Sequence, residues 1–292
     1  MEWEQAGRLN CADDLYFTAA LAVVKAAGRV VREAFETPAS VVSTKSSATD
    51  LVTETDRKVE TLLVSALRAA YPDHKFIGEE TASDDQAIEW TDQPTWIIDP
   101  IDGTTNFVHR IPHIAICVAL SINRRIVLGI VYNPVLDHLY TARRGHGAFK
   151  NGFPIRCSST IDIPSAIVSC PLNSGARSDA ILKAYKENQS TLVSRGVRAL
   201  RTFGSAAVAL ACVAEGCLDA YVEHGLHCWD LAAAALVLTE AGGHVSGVDG
   251  GPLDIMRRSV VAAGSRELCE ELTRELTHVD YASEATHVSP TG

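Results

Sequence analysis

Two carboxylates lie three positions apart at the point where an apolar segment meets a turn. The segment Trp96-Ile97-Ile98 has the composition expected at the end of a buried strand, and Asp99 follows it directly. Pro100 has no N–H to donate and interrupts the strand, and Asp102 follows two residues later. Neighbouring carboxylates that lose hydration repel each other and need a cation. The spacing therefore predicts a site for an ion that prefers oxygen ligands, such as Mg²⁺, Mn²⁺ or Ca²⁺.

The residues after Asp102 favour an anion site beside that cation. Gly103-Thr104-Thr105 is a run of small residues with free backbone amides, and we expect a helix to begin just after it. Amides at a turn or at a helix N-terminus suit a phosphate oxygen. An Asp-x-x-Asp pattern is also common in solvated loops and helix caps, so this stretch alone leaves both interpretations open.

Two further acidic positions lie at the ends of predicted strands. Phe76-Ile77-Gly78 predicts a short strand that ends in Glu79 and Glu80. Adjacent side chains on a strand point to opposite faces, so only one of these two acids is expected to face a given metal ion. Asp219-Ala220-Tyr221-Val222 predicts another strand, which ends in Glu223.

Two other acids are predicted in the first turns of helices. Thr53 or Thr55 is expected to cap a helix that has Asp56 in its first turn, and Asp230 follows closely after the predicted start of a helix at Cys228. An acid in a first turn also stabilises a helix through its dipole, so both positions have a purely structural explanation.

A third helix start has a different composition. Gly204-Ser205 precedes a small-residue helix that begins at Ala206. Such an N-terminus can hold an anion or a hydroxyl-rich ligand.

The overall composition narrows the functional class. The chain has 292 residues, 47% hydrophobic and 21% charged, as is usual for a folded protein. Its formal net charge of -10 argues against nucleic-acid binding through a basic surface. The eight cysteines include no Cys-x-x-Cys pattern and are expected to be free thiols in a reducing compartment. With no signal-peptide pattern and no apolar run of roughly 20 residues, we expect a cytoplasmic protein with no membrane association.

Helical and strand patterns alternate in both halves, with an antiparallel meander between them, which suggests stacked layers of helix and sheet. We expect one domain over residues 1–280 with an internal division near 159–165. The polar tail, 281–292, is expected to be disordered.

Taken together, these segments resemble the inositol monophosphatase family. Residues 96–109 match the family's first signature and residues 229–243 match the second, while residues 50–56 and 76–80 also fit. The resemblance runs over about residues 13–277, and it looks closest to the animal members. Several spaced motifs in the same order make it specific.

The resemblance implies a five-layer αβαβα fold of the α/β (α+β) class and a homodimer. It implies hydrolysis of myo-inositol monophosphates, a small sugar-phosphate substrate, with about two or three Mg²⁺ ions per active site. Mn²⁺ is the expected substitute, and Li⁺ and Ca²⁺ are the expected inhibitors.

The resemblance also assigns two overlapping metal sites by position. Glu79, Asp99 and the carbonyl group of Ile101 would hold the first ion. Asp99, Asp102 and Asp230 would hold the second.

Catalytic and substrate-binding roles are implied in the same way. Glu79 and Thr104 would position and activate the attacking water, and Asp56 would support Thr104 by hydrogen bonding. Lys45, which sequence physics alone describes as a surface charge, would balance charge near the metal ions. The amides of Gly103 and Thr104 would hold the phosphate. The other expected substrate contacts are Ile101, Asp102, Gly204, Ser205, Ala206, Glu223 and Asp230.

The chain departs from the family pattern after the second signature begins. Many members have glycine in the helix after Trp-Asp, where this chain has Ala232-Ala233-Ala234-Ala235. Alanine favours a helix by about 1 kcal/mol per replaced glycine, but its methyl groups lie close in sequence to Asp230. The fit of the sugar or of a dimer contact is therefore in question. Ser205 is a conservative replacement for threonine.

Alternative functions make different demands on the sequence. A related phosphatase acting on fructose 1,6-bisphosphate or on 3′-phosphoadenosine nucleotides would need a second anion site or an adenine site, for which Arg198 and Arg201 are the candidates. A catalytically inactive metal-binding scaffold would be expected to lack a carboxylate, and none is missing. His227 and Cys228 lack further ligands at zinc spacing and are expected to pack or form hydrogen bonds.

Overall fold

The computed structural model describes most of the chain, namely residues 11–37, 42–44, 51–82, 87–171, 178–279 and 281–285. Lys45 lies outside the described residues. Within them, no helix is long and apolar enough to cross a membrane.

Seven α-helices and fourteen strands lie within the described residues. The helices are α1 (Cys11–Glu36), α2 (Glu54–Ala70), α3 (Thr104–His109), α4 (Asp179–Ser194), α5 (Ala206–Ala214), α6 (Cys228–Glu240) and α7 (Arg266–Glu275). The first nine strands are β1 (Val42–Thr44), β2 (Leu51–Thr53), β3 (Lys75–Gly78), β4 (Thr95–Asp102), β5 (Ala115–Ile122), β6 (Arg125–Asn133), β7 (His138–Arg143), β8 (Ala148–Lys150) and β9 (Phe153–Pro154). The remaining strands are β10 (Ile167–Ser169), β11 (Ala199–Arg201), β12 (Ala220–His224), β13 (His244–Ser246) and β14 (Ser259–Ala263).

Most strands belong to two large sheets. The first has seven strands in the order β3-β4-β5-β6-β7-β8-β9, and the second has five in the order β11-β10-β12-β14-β13. In the first sheet β3 pairs with β4 in parallel, and the other pairs are antiparallel, so most of this sheet is the predicted meander. Every residue of β4 is buried, which explains why its sequence is almost continuously apolar up to Asp99.

Helices cover both faces of each large sheet and produce five layers. The first layer is α1 with α2, which share an apolar core with one face of the seven-stranded sheet through Val24, Leu63, Trp96 and Ile116. The middle layer is α5 with α6, which lie between the two sheets. The outer face of the five-stranded sheet is covered by α7, in a core that includes Leu192 of α4 and Leu268 of α7. The expected αβαβα arrangement is confirmed.

The middle helical layer lies very close to the first sheet where α6 crosses β6. A Cβ atom at Gly129 of β6 would lie 2.5 Å from the carbonyl oxygen of Ala233 in α6, so only glycine allows this contact. The small residues of α6 and Gly129 therefore bring the helix against the sheet.

Residues 159–165 lie on the connection that leads from β9 in the first sheet to β10 in the second. The start of the expected tail differs from the prediction. The backbone of Glu284 donates to the carbonyl group of Met256 (2.9 Å) and accepts from Ile88 (2.7 Å), so residues 281–285 pack on the body of the protein. Residues 286–292 lie outside the described residues.

Candidate active site

The turn between β4 and α3 contains Asp99 and Asp102. Asp99 is opposite Cys117 of β5, and the strand pairing shifts register between Asp99 and Asp102. Gly103 then caps α3 with φ +95°, a conformation that L side chains rarely adopt. A Cβ atom there would also lie 3.1 Å from the carbonyl oxygens of Gly204 and His113. The glycine thus permits a sharp exit from the strand, against the second half of the chain.

A third carboxylate comes from the start of α6. Asp230 is the third residue of that helix, and one carboxylate oxygen from each of Asp99, Asp102 and Asp230 lies within 4.8 Å of the others. Asp99 is 1% exposed and Asp102 is 8% exposed. Two buried acids and one half-buried acid at this separation form a candidate metal centre.

Two of the three carboxylates are fixed through one oxygen each. Asp102 Oδ2 accepts hydrogen bonds from the hydroxyl of Ser205 and from the backbone N–H of Ala207, both at 2.6 Å. Asp230 Oδ2 accepts from the backbone N–H of His227 at 2.7 Å. Among the described residues no donor reaches the buried Oδ1 of Asp99. Asp99 Oδ1 therefore fits a cation, because a buried carboxylate oxygen without a partner is otherwise costly.

Burial and mutual repulsion raise the pKa of all three carboxyls. Burial, together with repulsion from Asp230 and Glu223, raises the pKa of Asp102 to about 8 despite its hydrogen bonds. Burial and repulsion from Glu79, Asp102 and Asp230 raise the pKa of Asp99 well above its usual range. Burial also raises the pKa of Asp230. The cluster therefore has to bind either protons or a cation near neutral pH.

Glu79 and Glu80 lie in the turn after β3 and have different surroundings. Glu79 interacts with Asp99, where both its negative charge and a hydrogen bond raise the pKa of Asp99. The backbone N–H of Glu80 donates to Oε2 of Glu60 at 2.8 Å, and the Glu80 side chain lies 3.9 Å from Arg57. Glu79 is thus the member of the pair that adjoins the carboxylate cluster.

Asp56 and Thr104 meet beside the same turn. Asp56 closes a capping box with Thr53 at the start of α2, where its Oδ2 accepts from the N–H and the hydroxyl of Thr53. Its other oxygen, Oδ1, lies 3.3 Å from the hydroxyl of Thr104, which is also 3.2 Å from the carbonyl oxygen of Ile101. Burial raises the pKa of Asp56 to about 6. Asp56 is therefore both a helix cap and a partner of Thr104.

A cavity of about 700 Å³ adjoins these acids. It brings together residues that the sequence placed on separate elements, namely Glu79, Asp102, Gly204, Ser205, Ala206, Glu223 and Asp230. Glu223 is held by a hydrogen bond from the hydroxyl of Tyr221. Ser205 is part of the anchor for Asp102 and also caps α5, where its hydroxyl accepts from Val208 at 3.1 Å. The wall thus joins carboxylates to groups that can bind hydroxyls.

The alanine run of α6 does not border this cavity. The four residues Ala232–Ala235 are buried, and only Trp229 and Asp230 of α6 line the cavity among the described residues. Ala232 and Ala235 instead line a separate cavity of about 870 Å³. The methyl groups therefore do not reduce the space beside Asp230.

Other candidate residues lie elsewhere. Arg198 and Arg201 are exposed, and neither is among the described residues that line the 700 Å³ cavity. His227 stacks on Trp229 with ring centroids 4.6 Å apart, and its Nδ1 lies 2.8 Å from Glu284. Cys228 is fully buried. The expected packing role of His227 and Cys228, as opposed to zinc binding, agrees with these contacts.

Sequence reasoning missed two residues that support the site. Glu60 is 2% exposed and accepts from the N–H of Glu80. The side-chain amide of Asn106 donates to the carbonyl groups of His113 (2.7 Å) and Phe203 (2.6 Å), which ties the β4–α3 turn to the segment before α5. Glu60 lies one helical turn after Asp56, on a face of otherwise apolar residues, and that spacing was the available signal.

The chain is similar in sequence to known proteins over most of its length. Residues 13–281 match the model of the inositol monophosphatase family. The chain is 44% identical to human inositol monophosphatase 1 over 257 residues, which cover 88% of this chain and 92% of that protein. It is also 44% identical to human inositol monophosphatase 2 over 265 residues, 91% of each chain.

The chain is also similar to a solved structure. The extragenic suppressor protein suhB from Bartonella henselae superposes with a TM-score of 0.80 at 32% identity, over 90% of this chain and 98% of that one. The family match over residues 13–281 includes both large sheets and the three carboxylates Asp99, Asp102 and Asp230. The chain belongs to the inositol monophosphatase family of metal-dependent phosphatases, and it is a phosphoric monoester hydrolase.

Proposed function

We propose that this enzyme hydrolyses myo-inositol monophosphates to inositol and phosphate, with Mg²⁺ as its cofactor. The observation that carries the proposal is the shared cavity, in which Asp102 and Asp230 adjoin Gly204, Ser205 and Glu223. A polyol ester needs a phosphate-binding end and a wall of hydroxyl acceptors, and the carboxylates and small polar residues of this cavity would supply that wall.

The proposed metal ligands are the ones that sequence analysis assigned. Asp99, Asp102 and Asp230 would hold one ion, and Glu79, Asp99 and the Ile101 carbonyl another, because a set of oxygen donors suits Mg²⁺. Bound there, the metal would supply a polarised phosphoryl group and a water of lowered pKa. Support comes from Asp99 Oδ1, which no donor in the described part of the chain reaches, and from the raised pKa values of the cluster.

The residues around the turn would orient the reactants. The amides of Gly103 and Thr104, at the start of α3, would bind phosphate oxygens. Thr104 would hold the attacking water together with Glu79, and ionised Asp56 would accept the Thr104 proton in a hydrogen bond. That contact leaves a lone pair of the hydroxyl oxygen free to accept a hydrogen bond from the water. Lys45 retains its proposed role in charge balance from the family resemblance.

The pH dependence of metal binding is a direct consequence of the raised pKa values. With a pKa of about 8, Asp102 is largely protonated at neutral pH in the metal-free protein, and a metal ion binds its ionised form. Mg²⁺ affinity should therefore rise as the pH increases, with protons released on binding. Isothermal titration calorimetry in buffers of different ionisation enthalpy should show more proton release at about pH 7 than at about pH 9. Equal release at both pH values would contradict the assigned cluster.

Glu223 is expected to set substrate preference. Glu223→Gln should lower kcat/KM for myo-inositol 1-phosphate relative to glycerol 2-phosphate by roughly 10- to 100-fold, because a hydrogen bond to a charged group contributes about 1.5–3 kcal/mol. Its Mg²⁺ dependence should not change. Tyr221→Phe, which removes only the hydroxyl that donates to Glu223, is the matched control and should have a smaller effect. If Glu223→Gln keeps the substrate preference of the wild type, Glu223 does not set that preference.

A substrate panel tests the proposed function. Phosphate release would be measured from myo-inositol 1-phosphate, fructose 1,6-bisphosphate and 3′-phosphoadenosine 5′-phosphate, with Mg²⁺ and with or without Li⁺. We expect a strong preference for the inositol ester, loss of activity with EDTA and inhibition by Li⁺. Preference for one of the other substrates would replace the proposed substrate and leave the phosphatase assignment in place.

We also propose a homodimer and a cytoplasmic location. The homodimer follows from the family resemblance and would be tested by light scattering during gel filtration. The location is supported by the seven described cysteines, all of which are free, as expected in a reducing compartment. Fractionation of cells that make the tagged chain would test it.

A further inference from the structure

Two cysteines lie on the turn that ends α5, at the opposite end of that helix from Asp102. The N–H of Cys217 donates to the carbonyl of Cys212 (3.0 Å), and the N–H of Gly216 donates to the carbonyl of Val213 (3.1 Å). Gly216 has φ +78°, so the turn is a Schellman motif. The first and last residues of this motif commonly make an apolar side-chain contact. Here both positions are cysteine.

The two sulfur atoms are close together, and a carboxylate lies beside them. Cys212 Sγ, Cys217 Sγ and a carboxylate oxygen of Glu215 all lie within 4.8 Å of one another. Cys217 Sγ is 3.3 Å from Glu215 Oε1 and 3.3 Å from the carbonyl oxygen of Cys212. The backbone hydrogen bond between the two cysteines is compatible with the Cα separation that a disulfide spans, about 4.4–6.8 Å.

Only one thiol of the pair is suited to react first. Cys217 is exposed, and a hydrogen bond from Cys212, helped by the positive charge of Lys150, lowers the pKa of its thiol against the opposing effects of partial burial and of Glu215. The same hydrogen bond raises the pKa of Cys212, and burial raises it further. By contrast, burial raises the pKa of Cys157 to about 11. Cys217 therefore has a larger thiolate fraction than Cys157 near neutral pH.

We propose that Cys217 and Cys212 form a peroxide-reactive thiol pair that closes to a reversible disulfide. The Cys217 thiolate attacks hydrogen peroxide, so that an S–O bond forms, the O–O bond breaks and one water leaves after protonation. The Cys212 sulfur then attacks the resulting sulfenic acid. The S–S bond forms, and the hydroxyl group leaves as a second water with the Cys212 proton. The two thiols lose two electrons, and one peroxide is reduced to two waters.

A metal ion is the other ligand that this cluster suggests, and the surroundings disfavour it. The ammonium group of Lys150 is ion-paired with Glu215 Oε2, so a cation already occupies that carboxylate. The group offers three ligand atoms, whereas structural zinc sites almost always use four. A disulfide requires only the two sulfurs and leaves the Lys150–Glu215 pair intact.

The pair is remote from the reacting atoms. α5 has nine residues, so the turn lies roughly 13 Å along the helix from the end that anchors Asp102. Cys217→Ser should therefore keep the turnover of the reduced enzyme. Cys212 is close enough to react with the sulfenic acid on Cys217 before that group is oxidised further and irreversibly.

Proteolysis at Glu215 tests the proposal, because that residue lies between the two cysteines. The reduced full-length protein would be treated with hydrogen peroxide, alkylated and digested with a glutamate-specific protease without reductant. Fragments 188–215 and 216–223 each contain one cysteine, Cys212 and Cys217 respectively. We expect these fragments to remain joined after peroxide and to separate on reduction. Cys157→Ser is the matched control and should keep the link.

Two variants separate the steps. Cys217→Ser should abolish the link, and Cys212→Ser should let peroxide carry Cys217 to sulfinic and sulfonic acids that reductant does not reverse. Failure of the fragments to remain joined in the wild-type protein would overturn the proposal. Stoichiometric Zn²⁺ binding that Cys217→Ser removes, without a peroxide-dependent link, would also overturn it and assign the cluster to a metal.

Discussion

Asp102→Asn should fold normally and lose turnover by roughly 10³-fold or more, since the substitution removes one carboxylate oxygen from a site that would supply several kcal/mol of charge stabilisation. Asparagine keeps a carbonyl oxygen that can accept the hydrogen bonds from Ser205 and Ala207. Its NH₂ group then stands where the second oxygen would meet the metal. Steady-state phosphate release with myo-inositol 1-phosphate and Mg²⁺ would measure the loss.

Thermal unfolding of the metal-free protein provides the control for Asp102→Asn. The pKa of Asp102 is about 8 in the folded protein, above the unfolded value of about 4. The folded state therefore binds more protons, and the wild-type free energy of unfolding falls as the pH rises between about 4 and 8. Asparagine does not titrate, so the variant does not lose free energy of unfolding in this way. It should therefore be at least as stable as the wild type above about pH 8. Near-wild-type turnover in a folded variant would refute the assignment of Asp102.

Thr104→Val should lower kcat by about 10²- to 10⁴-fold, the range that a positioned proton-transfer group contributes. Valine has the shape of threonine but lacks the hydroxyl that contacts Asp56 Oδ1 and the Ile101 carbonyl oxygen. Because the hydroxyl is proposed to act on the attacking water, KM should change much less than kcat. Single-turnover phosphate release at saturating substrate would measure this step.

Thr104→Ser is the matched control, because serine restores the hydroxyl without the methyl group. It should recover most of the activity that Thr104→Val loses, and both variants should bind Mn²⁺ as the wild type does. If Thr104→Val and Thr104→Ser lose the same activity, the methyl packing matters and the hydroxyl does not. That result would withdraw the role of Thr104 in orienting the water.

Local sequence patterns predicted the elements of the site well. The apolar run before Asp99 is the buried strand β4, and the small residues after Asp102 lead into α3. Thr53 caps α2 with Asp56 in its first turn, as one of the two proposed caps. These features depend on hydrogen bonds and side-chain periodicity within a few residues, and such information is present in the sequence.

Contacts between distant segments were not predictable in the same way. Ser205 lines the cavity, and its hydroxyl also fixes Asp102, 103 positions earlier in the chain, a contact that local patterns did not predict. The choice between Glu79 and Glu80 depends on a turn that Glu60 holds from α2. Both features follow from how α2 and α5 pack against the first sheet, which no local spacing encodes.

The most direct test of the central claim is an anomalous difference map from crystals of the enzyme grown with Mn²⁺. We expect at least one strong peak at bonding distance, about 2 Å, from carboxylate oxygens of Asp99, Asp102 and Asp230. Asp102→Asn crystals should show a weaker peak there. If crystals of enzyme that is active with Mn²⁺ show no peak at these carboxylates, or a peak only beside Cys212 and Cys217, the proposed metal centre is contradicted.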